Sequence, residues 1–108
     1  MKTLEYLDAA KAKLGIASDY ALAKKLNMTT TAISNYRVGR SRMDDDVALK
    51  VAKILEIDPL EVIAAANVER SKTPEIKALW MGVMEKFSMG FNALISAAKP
   101  RRGSFSGT

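Results

Sequence analysis

Apolar residues return at intervals of three and four along most of the chain, the spacing that lines one face of an α-helix. Leu4, Leu7, Ala10 and Leu14 share such a face and predict a helix from about Leu4 to Leu14, with Thr3 able to cap it. Gly15 stands where a left-handed cap is wanted, and Ile16 follows to fold back onto the helix. A short helix is expected over Asp19 to Leu26. Ser18 is placed to cap it, Asp19 meets the positive end of its dipole, and Leu22, Ala23 and Leu26 form its inward stripe. Asn27, one of the few non-glycine residues that tolerates positive φ, predicts the break that follows. A second short helix, Thr30 to Val38, is capped by Thr29, points Ile33 and Tyr36 inward and ends at Gly39.

Two stronger start signals come next. Asp44, Asp45 and Asp46 set three carboxylates against unpaired amides and open a helix whose face is Val47, Val51, Ile54 and Leu55. Asp58, Pro59 and Glu61 supply a cap, a first helical residue and the far member of a capping box, with Val62, Ile63 and Ala66 packing back. The polar run Val68 to Thr73 is expected to end the core. Beyond it, Thr73 and Pro74 start a long helix in which Ile76, Trp80, Val83, Met84, Phe87, Phe91, Leu94, Ile95 and Ala98 keep helical phase, with Ser88 and Gly90 as the place for a kink. Lys99 to Thr108 is basic and rich in glycine and serine, which predicts a disordered tail. The expected organisation is all-α: a five-helix core at 1–73, a helical extension at 74–98 and a tail at 99–108.

Composition narrows the chemistry. A chain of 108 residues, 48% of them apolar, fits one compact domain with a real core. It contains neither cysteine nor histidine, which removes disulfides, thiolate zinc sites, cysteine nucleophiles, Ser-His triads and the commonest general base at neutral pH. No constellation suggests catalysis, so the chain is expected not to be an enzyme, and no cofactor is implied. Asp44 to Asp46 read as capping carboxylates and not as a metal site, because three adjacent residues do not easily converge on one ion and no glycine-punctuated loop frames them. The formal charge of +5 suits an acidic partner, either nucleic acid or a membrane surface. The chain opens without the apolar run of a signal peptide, and Glu85, Lys86 and Asn92 interrupt its most apolar stretch, so a cytoplasmic location is the expectation.

The run from Ser18 to Arg40 carries more than two helices and a turn. Leu22-Ala23 stands in the middle of the first helix, Asn27 four residues after the alanine, then Met28, the cap Thr29, Ile33 four past the cap, Tyr36 three later and Gly39 three beyond. This pattern resembles the helix-turn-helix of the phage repressor and Cro family, and the resemblance extends over about Thr3 to Ser71. It implies a lambda-repressor-like five-helix fold, double-stranded DNA as partner and the role of a phage or prophage transcriptional repressor. Thr30, Thr31, Ser34 and Asn35 occupy the family's base-reading positions, where Asn35 could pair with adenine and threonine methyls could meet thymine methyls. Lys25, Thr29, Arg37, Arg40 and Arg42 fall on its phosphate-contacting rim. Independently, the stretch from Lys24 to Arg42 holds Lys24, Lys25, Arg37, Arg40 and Arg42 and no acidic residue. One departure stands out: Asp19 occupies a place where family members often carry a glutamine that binds a phosphate and braces the recognition helix, and a carboxylate cannot donate there.

The C-terminal apolar stripe fits three roles. It could fold back onto its own core. It could make a homodimer through Ile76, Trp80, Val83, Phe87, Phe91 and Leu94, giving two recognition helices for two half-sites. With Lys77, Lys86 and Lys99 opposite the aromatics it also has the look of a membrane-surface helix. The rival functional readings are a protein-interaction module, such as an antitoxin or phage accessory factor, and a peripheral membrane protein.

Overall fold

The computed structural model describes residues 2–98, with side chains described through residue 87. Among these are six helices and no strand: α1 (Thr3–Lys13), α2 (Asp19–Lys25), α3 (Thr30–Arg37), α4 (Asp45–Leu55), α5 (Pro59–Arg70) and α6 (Pro74–Ala98). The expected tail at 99–108 and the stripe side chains Phe91 and Leu94 lie outside the described residues, as do the side chains of Ser88 and Gly90.

The caps follow the sequence at four of the five core helices. Ser18, Thr29 and Asp44 accept the backbone N–H of Ala21, Ala32 and Val47, and Asp58 accepts that of Leu60 ahead of Pro59. α1 differs. Its N-cap residue is Lys2, whose N–H donates to Glu5 at 2.7 Å. Thr3, expected as the cap, is buried inside the first turn, where its N–H and hydroxyl donate to the two oxygens of Glu69 at 2.9 and 2.6 Å. Glu61 also departs from expectation. Instead of closing a capping box it accepts the hydroxyl of Tyr6 at 2.6 Å, and burial together with that carboxylate pushes the phenol well above its ordinary pKa. Both corrections have one cause: a carboxylate on α5 does more by satisfying a buried donor on α1 than by answering an amide that water already reaches.

The core joins Tyr6, Leu7 and Ala10 of α1 to Leu22, Ala23, Leu26, Ile33, Met43, Val47, Val51, Ala52, Val62 and Ala66. Small residues on α4 and α5 (Ala48, Ala52, Ala64, Ala65, Ala66) are fully buried, so these helices approach closely. Leu14, expected inside, is exposed because α1 stops at Lys13 before the face completes its turn. Among the described residues the last buried member of the core is Ala66, ahead of the run Val68 to Thr73. α5 continues through it to Arg70, which donates to the carbonyl of Met43 and to Asp45, 2.7 Å away, and so anchors the α3–α4 loop. α6 then lies against α5, with Met84 packed on the core and Trp80, Val83 and Phe87 half-buried, while Ile76, Leu79 and Met81 stay exposed.

Helices α1 to α4 all end in a left-handed residue whose successor bonds back over the last turn: Gly15, Asn27, Gly39 and Glu56. Glu56, at φ 59°, is the costly one. An L-residue with a long side chain loses roughly 1–2 kcal/mol there, and glycine returns about 0.5–1 kcal/mol of that in unfolded-chain entropy. Glu56→Gly should therefore stabilise the fold by about 0.5–1 kcal/mol, read as a rise of a few degrees in thermal midpoint. An unchanged or lower midpoint would mean that the exposed Lys13–Glu56 pair, at 3.3 Å, outweighs the backbone strain.

Candidate nucleic-acid interface

α2 and α3 meet across Leu22, Ala23, Leu26 and Ile33, none more than 1% exposed. Asn27 turns the chain left-handed at φ 56°, and the N–H of Met28 returns to the carbonyl of Ala23 at 2.8 Å. A side chain larger than alanine at 23 would push into this seam. From α4, the Lys50 ammonium donates to the carbonyl of Leu26 at 2.8 Å and satisfies the end of α2. With Ile33 buried, α3 leaves Thr30, Thr31 and Ser34 exposed and Asn35 half-buried.

The helix-turn-helix family model matches residues 10–62, just under half of the chain. Residues 10–62 are thus similar to helix-turn-helix domains. No curated protein and no solved structure matches the chain. Helix-turn-helix domains bind DNA by laying the second helix of the motif in the major groove. In this chain α3 is the second of the two helices, and its solvent face is small and polar.

The residues expected to contact phosphate divide into two groups. Arg37, expected to hold phosphate, is engaged inside the protein. Its Nε and Nη2 donate to the two oxygens of Asp19 at 3.2 and 3.0 Å, and its Nη1 lies 2.7 Å from Asp8. Asp19 also receives Lys11 at 3.0 Å. The residue that departs from the family pattern thus joins α1, α2 and α3 through one carboxylate, and the guanidinium it takes is lost to the rim. Arg37, followed by Lys11, holds Asp19 below the usual carboxylate range against the opposing effect of its partial burial.

The second group faces outward. Lys25 and Thr29 are exposed; the Thr29 oxygen accepts the cap amide, which leaves its hydroxyl proton free to donate. Arg40 Nη1 donates to Asn35 Oδ1 at 3.2 Å, so the amide NH₂ of Asn35 keeps both its donors. Arg42 donates to the carbonyl of Gly39 at 2.7 Å and so closes the end of α3. One residue on α2, Tyr20, escaped the sequence reading. Tyr20 is 60% exposed, and the ammonium of Lys24 lies over its ring at 4.8 Å, a cation–π contact. An exposed aromatic four residues before a lysine on one helix was the signal for it. The Asp8–Lys11–Asp19–Arg37 cluster had no comparable signal, since its members are scattered over three elements.

Arg37→Ala should destabilise the fold by about 1–2 kcal/mol, a charged hydrogen-bond value discounted for partial exposure. The acid limb checks its origin. Asp19 has a folded pKa below its unfolded value of about 3.9, so the stabilisation is complete above about pH 4 and fades as pH falls through the folded pKa. Asp19→Asn should lower stability at neutral pH and leave a shallower decline below pH ~4 in urea melts. An unaltered acid limb would place the acid-sensitive carboxylate elsewhere.

Proposed function

We propose that the chain is a transcriptional repressor, of the kind phages and prophages encode, that reads duplex DNA through Thr30, Thr31, Ser34 and Asn35. The observation that carries this reading is the two-sidedness of α3: one face fixed by Ile33 in the core, the other presenting small polar side chains at the surface. Lys25, Thr29, Arg40 and Arg42 hold the flanking phosphates, and Tyr20 with Lys24 extends this rim along α2. Arg37 acts indirectly, by fixing α3 against α1 and α2. Arg40 has two roles, since its contact with Asn35 orients the amide that reads the base edge.

Four small side chains make few strong base contacts, and no arginine fork is among them. A single domain would therefore discriminate weakly, and the reading includes a homodimer with residues 1–73 as the DNA-binding unit and α6 as its seam. Two such units on a two-fold axis set their recognition helices about 34 Å apart on one face of the duplex. Ile76 and Leu79, exposed on α6 beside half-buried Trp80, Val83 and Phe87, give the seam an apolar edge.

Selection of bound sequences from random duplex DNA tests the whole reading; a palindromic winner is expected. On that site, Asn35→Ala or Thr31→Ala should cost roughly 1–3 kcal/mol with little change on random DNA. Equal losses on both would mean that α3 does not read bases. Replacing Lys25 and Arg42 together by alanine should weaken binding to every duplex and reduce the log–log salt slope by about 1.8, near 0.9 per lost phosphate contact. An unchanged slope rejects them as the rim.

Sedimentation of the full chain should give a dimer, converted to a folded monomer by Ile76→Glu with Leu79→Glu. Both side chains are exposed in the monomer, so the fold should survive. A wild-type monomer at tens of micromolar that still binds a palindrome tightly would remove α6 from the reading.

A further inference from the structure

Asn35 is half-buried on α3, and Nη1 of Arg40 lies 3.2 Å from its Oδ1. A guanidinium carries donors and no acceptor, so the amide turns its carbonyl to Arg40 and its NH₂ away. The contact stands on a fixed backbone. Gly39 takes the left-handed conformation at φ 79°, and the chain folds back so that the N–H groups of Arg40 and Ser41 both donate to the backbone carbonyl of Asn35, at 2.9 and 3.3 Å. Arg42 holds the same turn through the carbonyl of Gly39 at 2.7 Å. The closure that ends α3 thus carries Arg40 to the side chain of Asn35.

An asparagine with both ends free presents an acceptor and a donor together, which matches N6 and N7 of adenine. With Arg40 in place the pair presents donors. The Asn35 NH₂ keeps two N–H groups, and the guanidinium beside Oδ1 adds others together with a full positive charge. Oδ1 has a second lone pair, yet an adenine amino group brought to it would set its own donors beside that charge. In the major groove guanine alone sets two acceptors, N7 and O6, side by side on one base.

We infer that the Asn35–Arg40 pair selects guanine over adenine at the base pair it faces. The Asn35 NH₂ donates to the N7 and O6 edge, and Arg40 acts as a positioning residue that fixes the polarity of the amide. The inference rests on the reading of duplex DNA by α3, and it adds the base. One nitrogen of Arg40 is used on Asn35, so the rest of its fork stays available to a phosphate.

The test has two arms. In the free full-length protein, the side-chain carbonyl carbon of Asn35 should change its chemical shift in Arg40→Ala, with the thermal midpoint unchanged because Arg40 is exposed. An unmoved resonance overturns the contact. The second arm starts from a duplex that the full chain selects out of random DNA, varied at the base pair whose preference Asn35→Ala abolishes. Wild type should favour guanine over adenine there by about tenfold or more. Inosine keeps N7 and O6 and should replace guanine without loss, whereas 7-deazaguanine, which lacks the N7 acceptor, should bind several-fold more weakly. Arg40→Ala should weaken binding to every duplex and bring adenine level with guanine or ahead of it. A wild-type preference for adenine overturns the inference. So does a guanine-to-adenine ratio that survives Arg40→Ala, the mark of an arginine that only holds phosphate. Failure to select any duplex overturns the DNA reading itself, and this inference with it.

Discussion

The position of α3 depends on how closely α2 can approach it, and that is set by the passage from Ala23 to Met28. A methyl group at 23 lets the helices cross with a seam that excludes water, and the left-handed backbone at Asn27 returns the Met28 amide to the carbonyl of Ala23. Asn tolerates this conformation without the entropy cost of glycine in the unfolded chain, at the expense of some residual strain. Lys50 then supplies a donor to the last carbonyl of α2 from a third helix. The turn is in this way fixed from both sides, and α3 has little freedom to tilt. A helix meant to present short side chains needs that rigidity, since threonine and serine cannot reach across a misplacement of an ångström as a long arginine can.

Asp19 adds a second constraint, and its consequence is redistribution. A carboxylate at this position recruits Arg37 and Lys11 and draws Asp8 into the same cluster. Two cations are thereby turned inward. The outward positive charge of the motif falls to Lys24, Lys25, Arg40 and Arg42, which border α3 at its two ends and not along its length. The pairs are only partly buried, so their worth lies in geometry as much as in stability: a bidentate guanidinium fixes direction in a way a single ammonium does not.

The elements of this fold were legible because each carries its own punctuation. Ser18, Thr29, Asp44 and Asp58 cap by chemistry local to one turn, and Gly15, Asn27 and Gly39 mark three of the four left-handed endings. Glu56 was not legible, since nothing in a glutamate announces positive φ; Ile57 and the packing beyond it force the turn. The same distinction separates the site residues. Thr30, Thr31 and Ser34 lie on the solvent face their spacing assigns, whereas the internal pairing of Arg37 was not legible because its partners stand 18 and 29 positions away in sequence. Thr3 and Glu61 fail for that reason too: each looked like a cap to its neighbours and serves a residue on another helix. Local rules predict local bonds, and buried donors override them.

α6 shows why periodicity alone could not assign its stripe. Ile76, Trp80, Val83 and Phe87 follow one another around the helix within a narrow arc, but Met84, beside that arc, is the α6 residue packed on the core. Folding back therefore covers one margin of the stripe and leaves the other, with Ile76 and Leu79, in solvent. The offset keeps an apolar edge at the surface, available for a second surface. Fold-back and association are thus compatible for this helix, because they use different sides of the same stripe.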